Sequence, residues 1–506
     1  MDALASPLDN ARYAALLARD PRFDGVFFVG VSTTGIYCRS ICPVRTPGRA
    51  RCSFYESAAG AERAGYRACF RCRPEVAPGI ARPAALASRA SRASPGPRAS
   101  VDAVDALVDT AAHRIADGAL NTGSIDDLAA ELGVSARHLR RAMEARLGVS
   151  PVELAQSQRL ALAKQLLQDT ALPLTTLAYA AGFGSVRRFN ALFAAKMGRS
   201  PSSLRRGASD TDRAPGVTLR LDYRPPYDWA RLLGFLRARA IPGVEHVGDD
   251  GVYRRVVRIA GLVGEIAIRP GPAPQAALRL SLSPDLLPVA MPLVARVRRM
   301  FDLDARPDVV AAVLRRDPEL APMVRARPGL RVPGAIDPFE AAVRALLGQQ
   351  VSVAAATTLA GRFAAAFGSP YAGSPGLTAR FPTAADVAAA SGARIAAIGL
   401  PAARAQALHG LACAVATGAI DLATPRDLDR FVAELVALPG IGPWTAHYLA
   451  MRALHLPDAF PAGDLGVRKA LASRSAKAIL ARAEPWRPFR AYAVLHLWTS
   501  LAEPAP

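Results

Sequence analysis

Two stretches of this chain read as linkers rather than as parts of a packed core. Arg82–Arg98 (RPAALASRASRASPGPR) is small, polar and basic with three prolines, and Gly207–Gly216 (GASDTDRAPG) repeats that composition on a smaller scale. At about 100–200 residues per domain, a chain of 506 residues is expected to hold several cores rather than one. The expected division is a cysteine-bearing block at 1–82, a linker at 83–100, a helical block at 101–206, a second linker at 207–216, a strand-rich unit at 217–286 and a helical block at 287–506. Strand-like alternation marks Val217–Leu221, Val252–Ile259, Ile266–Ile268 and Leu278–Leu282, whereas helical periodicity and caps dominate elsewhere.

Lys and Arg total 63 against 42 Asp and Glu, a formal net charge of +21 that draws the particle toward polyanions, nucleic acid first. The lysines are Lys164, Lys196, Lys469 and Lys477; arginine bias changes the kind of cation but does not create a net excess. The longest uncharged runs, Thr170–Val186 and Ala345–Gly361, are broken by Pro, Gly, Gln or Thr, which argues against a membrane span. Met1-Asp2-Ala3 with Asp9 soon after is not a basic segment leading into an apolar one, so no signal peptide and a cytoplasmic, nucleoid-associated location are expected. In a reducing compartment six cysteines are too few for a disulfide scaffold, and four of them form two close pairs, which points to a metal.

Cys38 and Cys42 are separated by three residues, and Cys69 and Cys72 by two. Two such pairs suit a tetrahedral zinc site of four thiolates, while Cys52 and Cys413 have no partner at ligand spacing. Phe28–Arg39 (FVGVSTTGIYCR) and Ala64–Pro74 (AGYRACFRCRP) resemble the N-terminal methyl-acceptor domain of the Ada family over nearly all of residues 20–75. The resemblance implies that one zinc thiolate, at Cys38, takes a methyl group from a methylphosphotriester in DNA. A zinc held by four thiolates carries a net charge of about −2, which keeps sulfur deprotonated and electron-rich. Alkylating one sulfur removes one negative charge and lessens repulsion from phosphate. Thr34, Arg45, Arg67 and Arg71 are candidate DNA contacts of this block. The alternative is a purely structural zinc module.

Ile125–Arg141 (IDDLAAELGVSARHLRR) has helix-turn-helix spacing, with Ser124 capping the first helix, Gly133 at the turn and Ser135 capping a second helix rich in cations. A second copy follows at Leu174–Phe193, with Gly182 at its turn and Ser185 before Val186-Arg187-Arg188-Phe189-Asn190. The doubled pattern, ending in Gly198-Arg199-Ser200-Pro201-Ser202, is similar to the AraC-type DNA-binding domain. Two recognition helices on one unit can enter successive major grooves. Arg137, Arg140, Arg187 and Arg188 are each either a groove or phosphate contact or a solvated surface charge.

Leu438–Ala446 (LPGIGPWTA) is a helix-hairpin-helix signature, in which Gly440, Ile441 and Gly442 bring backbone N–H groups close to a phosphate. Asp464 follows twenty residues after Trp444, the arrangement of the helix-hairpin-helix DNA glycosylases; taken alone, it would read as a helix N-cap. Tyr223–Trp229 (YRPPYDW), Pro333–Glu340 (PGAIDPFE), Leu347–Ser352 (LGQQVS) and Trp486–Trp498 (WRPFRAYAVLHLW) resemble the AlkA-type 3-methyladenine DNA glycosylases across residues 217–500. That resemblance implies a carboxylate at Asp464 that stabilises an oxocarbenium-like sugar and admits water. Trp444, Tyr448 and Trp498 would wall a pocket for a flipped, electron-poor base, with Gln349 a further substrate contact; core packing is the alternative for each aromatic. Bifunctional relatives place a lysine where this chain has Trp444, so strand cleavage is not expected. Gln350 stands where some relatives insert an apolar wedge, which puts that role in doubt.

The sequence thus predicts a multidomain protein: a small α/β Cys₄ zinc domain, an all-α double helix-turn-helix domain, a small α+β domain with an antiparallel sheet and an all-α helix-hairpin-helix glycosylase domain. The predicted function is alkylation repair coupled to its regulation, on double-stranded DNA carrying alkylated bases and methylphosphotriesters and on promoter DNA, with RNA polymerase as a partner and Zn²⁺ as cofactor. The competing reading is a transcriptional regulator whose C-terminal block only binds DNA. A second acceptor domain, for alkylguanine, would carry a Pro-Cys-His-Arg motif, and none occurs.

Overall fold

The structure is a computed structural model that describes residues 6–79, 99–206, 217–424 and 427–502. The second expected linker lies wholly outside the described residues; so does the first, apart from its last two positions, which begin the helix Ala99–Ala116.

In the cysteine module, β1 (Phe28–Val31) and β2 (Ile36–Arg39) form a hairpin that opposes Val29 to Cys38. Gly35 at φ +63° turns the chain between them, in the left-handed region that glycine adopts without penalty. β3 (Cys52–Tyr55) pairs with the outer edge of β1, and the short β4 (Arg67–Ala68) runs parallel to β2, giving the order β3-β1-β2-β4. Both cysteine pairs therefore lie at one end of one small sheet.

The helical block follows its local signals. Ser124 and Asp127 form a capping box on Ile125–Glu131, and Ser135 caps Ala136–Leu147 after the turn at Gly133, φ +70°. Ser150 and Glu153 box the long helix Pro151–Asp169, which joins this unit to the second, Leu174–Ala180 and Val186–Met197. The next unit is a five-stranded antiparallel sheet: β5 (Val217–Asp222), β6 (Glu245–Val247), β7 (Tyr253–Ile259), β8 (Leu262–Pro270) and β9 (Ala277–Leu282), in the order β5-β9-β8-β7-β6. Helices from Ala290 onward complete the chain, interrupted by a two-residue ribbon of β10 (Ser369–Pro370) and β11 (Ala379–Arg380).

The described blocks are not separate beads. One apolar cluster includes Phe28 and Tyr37 of the cysteine module, Leu160, Leu166 and Phe189 of the helical block, Leu219 and Leu280 of the sheet, and Leu293 and Phe301 beyond it. Cations seal the seams of this shared core. Arg39, directly after Cys38 and 2% exposed, donates to Asp24 and, at 2.8 Å, to Asp222 at the end of β5. Burial opposes its charge, but the two carboxylates outweigh burial and raise its pKa. Arg224 donates to four main-chain carbonyls, Asp24 at 2.7 Å, Asp304 at 2.7 Å, Ala305 at 3.4 Å and Gly79 at 2.9 Å, and burial pulls it down to about 10. On the other side Lys164, inside the long helix, reaches the Cys69 carbonyl and Glu75, each at 2.7 Å, and Arg73 pairs with Asp169.

A buried ion pair stripped of one partner leaves an uncompensated charge that costs about 3–5 kcal/mol. Arg39→Met is expected to lower the first unfolding transition of the zinc-loaded chain in urea by that amount. Arg22→Ala, which removes the surface pair with Asp20, is expected to leave that transition where it is.

Candidate metal centre and active site

Cys38 is the penultimate residue of β2, Cys42 follows the turn after it, and Cys69 and Cys72 lie in the turn after β4. Their Sγ atoms all fall within 4.8 Å of one another, and all four side chains are buried. A tetrahedral zinc with sulfurs at about 2.3 Å sets them about 3.8 Å apart, so this donor set fits the ion. Contacts with Cys42, Cys69 and Cys72, then burial, push the Cys38 thiol up, while contacts led by Cys38 pull Cys69 down. Four sulfurs compete here for protons that a divalent cation displaces. The backbone N–H of Arg39 donates to Cys72 Sγ at 3.4 Å. Cys52 packs instead against the Pro47 and Gly48 carbonyls, and Cys413 lies 3.8 Å from His409 Nε2.

Thr34, Arg45, Arg67 and Arg71 are all exposed. Arg67 borders the second helix-turn-helix unit: its Nη1 lies 2.5 Å from where a Cβ on Gly198 would stand. Arg137, Arg140, Arg187 and Arg188 are exposed in the opening turns of the two recognition helices, while Leu139 and Phe189 anchor those helices to the core.

The hairpin divides its labour between two glycines. Gly440, at φ +80°, also packs where a Cβ would meet Ala407 at 2.5 Å, whereas a Cβ on Gly442 would meet nothing within 4 Å. Gly442 is the N-cap of Pro443–Arg452, and its open side leaves the helix N-terminus accessible to a phosphate. Ile441 between them is buried. Gln349 does not extend freely: its amide donates to the Gly440 carbonyl at 3.3 Å and the Thr445 hydroxyl at 3.1 Å, tying the helix Pro338–Leu347 to the hairpin. Gln350 is exposed at φ +57°, at the tip of that connection.

Asp464 is the N-cap of Leu465–Ala470, its Oδ1 accepting from Val467 N at 3.0 Å. Trp498 Nε1 donates to the same oxygen at 2.8 Å and Trp444 Nε1 to Oδ2 at 2.9 Å. Trp444 stacks on Tyr448 with centroids 5.4 Å apart, and Tyr448 lies 6.5 Å from Trp498. Tyr448 OH accepts from Arg452 at 2.7 Å.

Residues outside the sequence-based set also converge here. A cavity of about 580 Å³ opens between the helix Trp229–Arg237, residues 327–333 and the helix Arg490–Ala502, lined by Phe235, Arg239, Arg331, Leu495 and Trp498. Arg239 and Arg452 lie 3.8 and 4.9 Å from the Phe235 ring, and burial pulls Arg239 down to about 10. Arg452 was readable, since 444, 448 and 452 share one helix face; Phe235 and Arg239 come from the preceding unit, and no local signal marks them.

Four family models match the chain: the metal binding domain of Ada over residues 11–75, a helix-turn-helix domain over 128–207, the AlkA N-terminal domain over 218–337 and the HhH-GPD superfamily base excision DNA repair proteins over 343–476. The chain is 39% identical over 278 residues to the DNA-3-methyladenine glycosylase 2 of Escherichia coli, covering 55% of this chain and 95% of that one. Over 69 residues it is 49% identical to the bifunctional transcriptional activator/DNA repair enzyme Ada of Escherichia coli, covering 14% of this chain and 20% of that one. It is also 40% identical over 502 residues to a Mycobacterium tuberculosis protein named "Probable bifunctional transcriptional activator/DNA repair enzyme AlkA", covering 97% of this chain and 96% of the relative. With that identity over nearly the full length of both chains, the protein belongs to the family of bifunctional transcriptional activator/DNA repair enzymes of the AlkA type.

Proposed function

We propose that the C-terminal half excises alkylated purines such as 3-methyladenine without cutting the strand, and that the N-terminal half captures a methyl group from a DNA methylphosphotriester on Cys38 and then binds promoter DNA more tightly. The observation that carries the first part is the carboxylate of Asp464, fixed by Trp444, Trp498 and its own helix N-terminus on the same domain as the open hairpin. An alkylated purine is already cationic, so its glycosidic bond breaks with the electron pair leaving on the base. The negative charge at Asp464 stabilises the sugar cation, and water adds at C1′ with loss of a proton. Trp444 occupies the place where an amine would form a Schiff base, so the product is an abasic site in an unbroken strand.

Zinc held by Cys38, Cys42, Cys69 and Cys72 keeps the sulfurs as thiolates. The Cys38 sulfur attacks the phosphotriester methyl carbon; the S–C bond forms, the C–O bond breaks and a phosphodiester anion leaves. One negative charge is lost from the site, and the exposed Thr34, Arg45, Arg67 and Arg71, with the recognition helices, meet phosphate against less repulsion. Activation of transcription would then require contact with RNA polymerase. The reading as a regulator that only binds DNA leaves the clamped carboxylate without a use.

Three outcomes test this. Elemental analysis is expected to find one zinc per chain, lost in Cys42→Ala. Peptide mass spectrometry after exposure to methylphosphotriester DNA is expected to place the methyl on Cys38, with operator affinity rising in step; methyl on Cys69, or no change in affinity, overturns the acceptor reading. Asp464→Asn is expected to lower excision from a duplex with one alkylpurine by about 3–4 kcal/mol of transition-state stabilisation while DNA binding holds or tightens. Strand breaks before alkali treatment of the wild-type product would overturn the hydrolytic course.

A further inference from the structure

The aromatic side chains beside Asp464 bind it through their edges. Each indole has a single N–H donor, and both Trp444 and Trp498 spend it on this carboxylate. The three residues come from three different elements: the helix after the hairpin, the loop that caps Leu465–Ala470, and the last helix of the described chain. An N-cap alone would hold one oxygen and leave the carboxylate plane free to turn. Here Oδ1 accepts from Val467 N and Trp498, and Oδ2 accepts from Trp444, so neither oxygen can swing without breaking a charge-assisted bond.

Gly466 makes this geometry possible. A Cβ there would stand 2.8 Å from Trp498 Cδ1, 3.1 Å from its Nε1 and 3.1 Å from Asp464 Oδ1. The φ of Gly466 is not in the left-handed region, so backbone conformation does not demand glycine; the approach of the indole does. The neighbouring Leu465, by contrast, is 66% exposed. Trp444 also has one ring face covered by Tyr448.

We infer that Trp444 and Trp498, with Gly466 as the gap that admits Trp498, are positioning residues that lock the orientation of the Asp464 carboxylate, acting through their N–H groups rather than through ring stacking on the base. The inference rests on the reading of Asp464 given above. A carboxylate locked in advance pays no reorganisation as positive charge develops on the sugar, whereas one held only by its cap would have to find that orientation during the reaction.

The test is single-turnover excision from a duplex carrying one alkylpurine, with the dissociation constant for the same duplex measured separately. Trp498→Phe and Trp444→Phe keep an aromatic face and remove the N–H. Each is expected to slow excision by about 10- to 100-fold, the size typical when a group that orients a reacting group is removed, with the dissociation constant within about twofold of wild type. The double variant is expected to approach the Asp464→Asn rate without falling below it. Gly466→Ala, checked for an unchanged melting temperature, is expected to slow excision in the same way. Wild-type rates in both Phe variants, or weaker binding at an unchanged rate, overturn the inference and return the indoles to a stacking role. Asp464→Asn separates the two claims: if it excises at the wild-type rate, the reading of the site itself fails, whereas an inactive Asp464→Asn beside a fully active Trp498→Phe removes only the positioning role.

Discussion

The arrangement of the whole chain depends on arginine and lysine side chains buried where modules meet. A guanidinium taken out of water is costly unless each N–H finds an acceptor. Arg39 finds Asp24, Asp222 and the Cys72 carbonyl; Arg224 finds main-chain oxygens from three separate segments. These partners lie as far apart as Asp24 and Asp304 in the sequence, so the contacts exist only when the cysteine module, the five-stranded sheet and the helices after it are assembled together. Apolar burial across the same seam supplies the driving force, and the cations fix the register, because a module displaced by a few ångströms would leave a charge unpaired.

In the proposed excision site one residue would serve structure and chemistry together. Asp464 is a conventional N-cap, satisfying Val467 N. A cap tolerates Ser, Thr or Asn, so capping alone does not require a charge. The indole N–H groups change the balance, since two further donors on one carboxylate restrict its rotation. The hairpin shows a division of its own: Gly440 is glycine because of its φ and its contact with Ala407, whereas the space beside Gly442 is open.

Features set by nearest neighbours were legible in the sequence. Ser124, Ser135 and Ser185 sit at the helix starts, Gly133 and Gly182 at the turns, and the spacing of the four cysteines announced a metal site. Resemblance placed Asp464, Trp444 and Trp498 together, but no spacing rule could say that the indole edges rather than their faces meet the carboxylate. Phe235 and Arg239 went unread because they enter the cavity from the unit before the helical domain, and such a contact leaves no periodic trace. Gln349 was expected as a substrate contact; that its amide also ties the hairpin to the preceding helix, through Gly440 and Thr445, has no local signal. No local signal marks Arg39 as buried, since one of its carboxylate partners, Asp222, lies 183 positions away. The apolar core shared between the blocks was not readable, since it joins residues far apart in sequence.

The two chemistries place opposite demands on their surroundings, and the burial of each nucleophilic or charged group follows. Cys38 is buried in the four-cysteine cluster, and Arg39 and Lys164 tie that cluster to the neighbouring modules. A glycosylase must let its base and its DNA go. Asp464 accordingly lies half-buried, on the domain whose hairpin has an open side, and its precision comes from directed hydrogen bonds instead of enclosure. Fixing a charge by donors at its edge leaves its remaining lone pairs facing the sugar and water, which full burial would forbid.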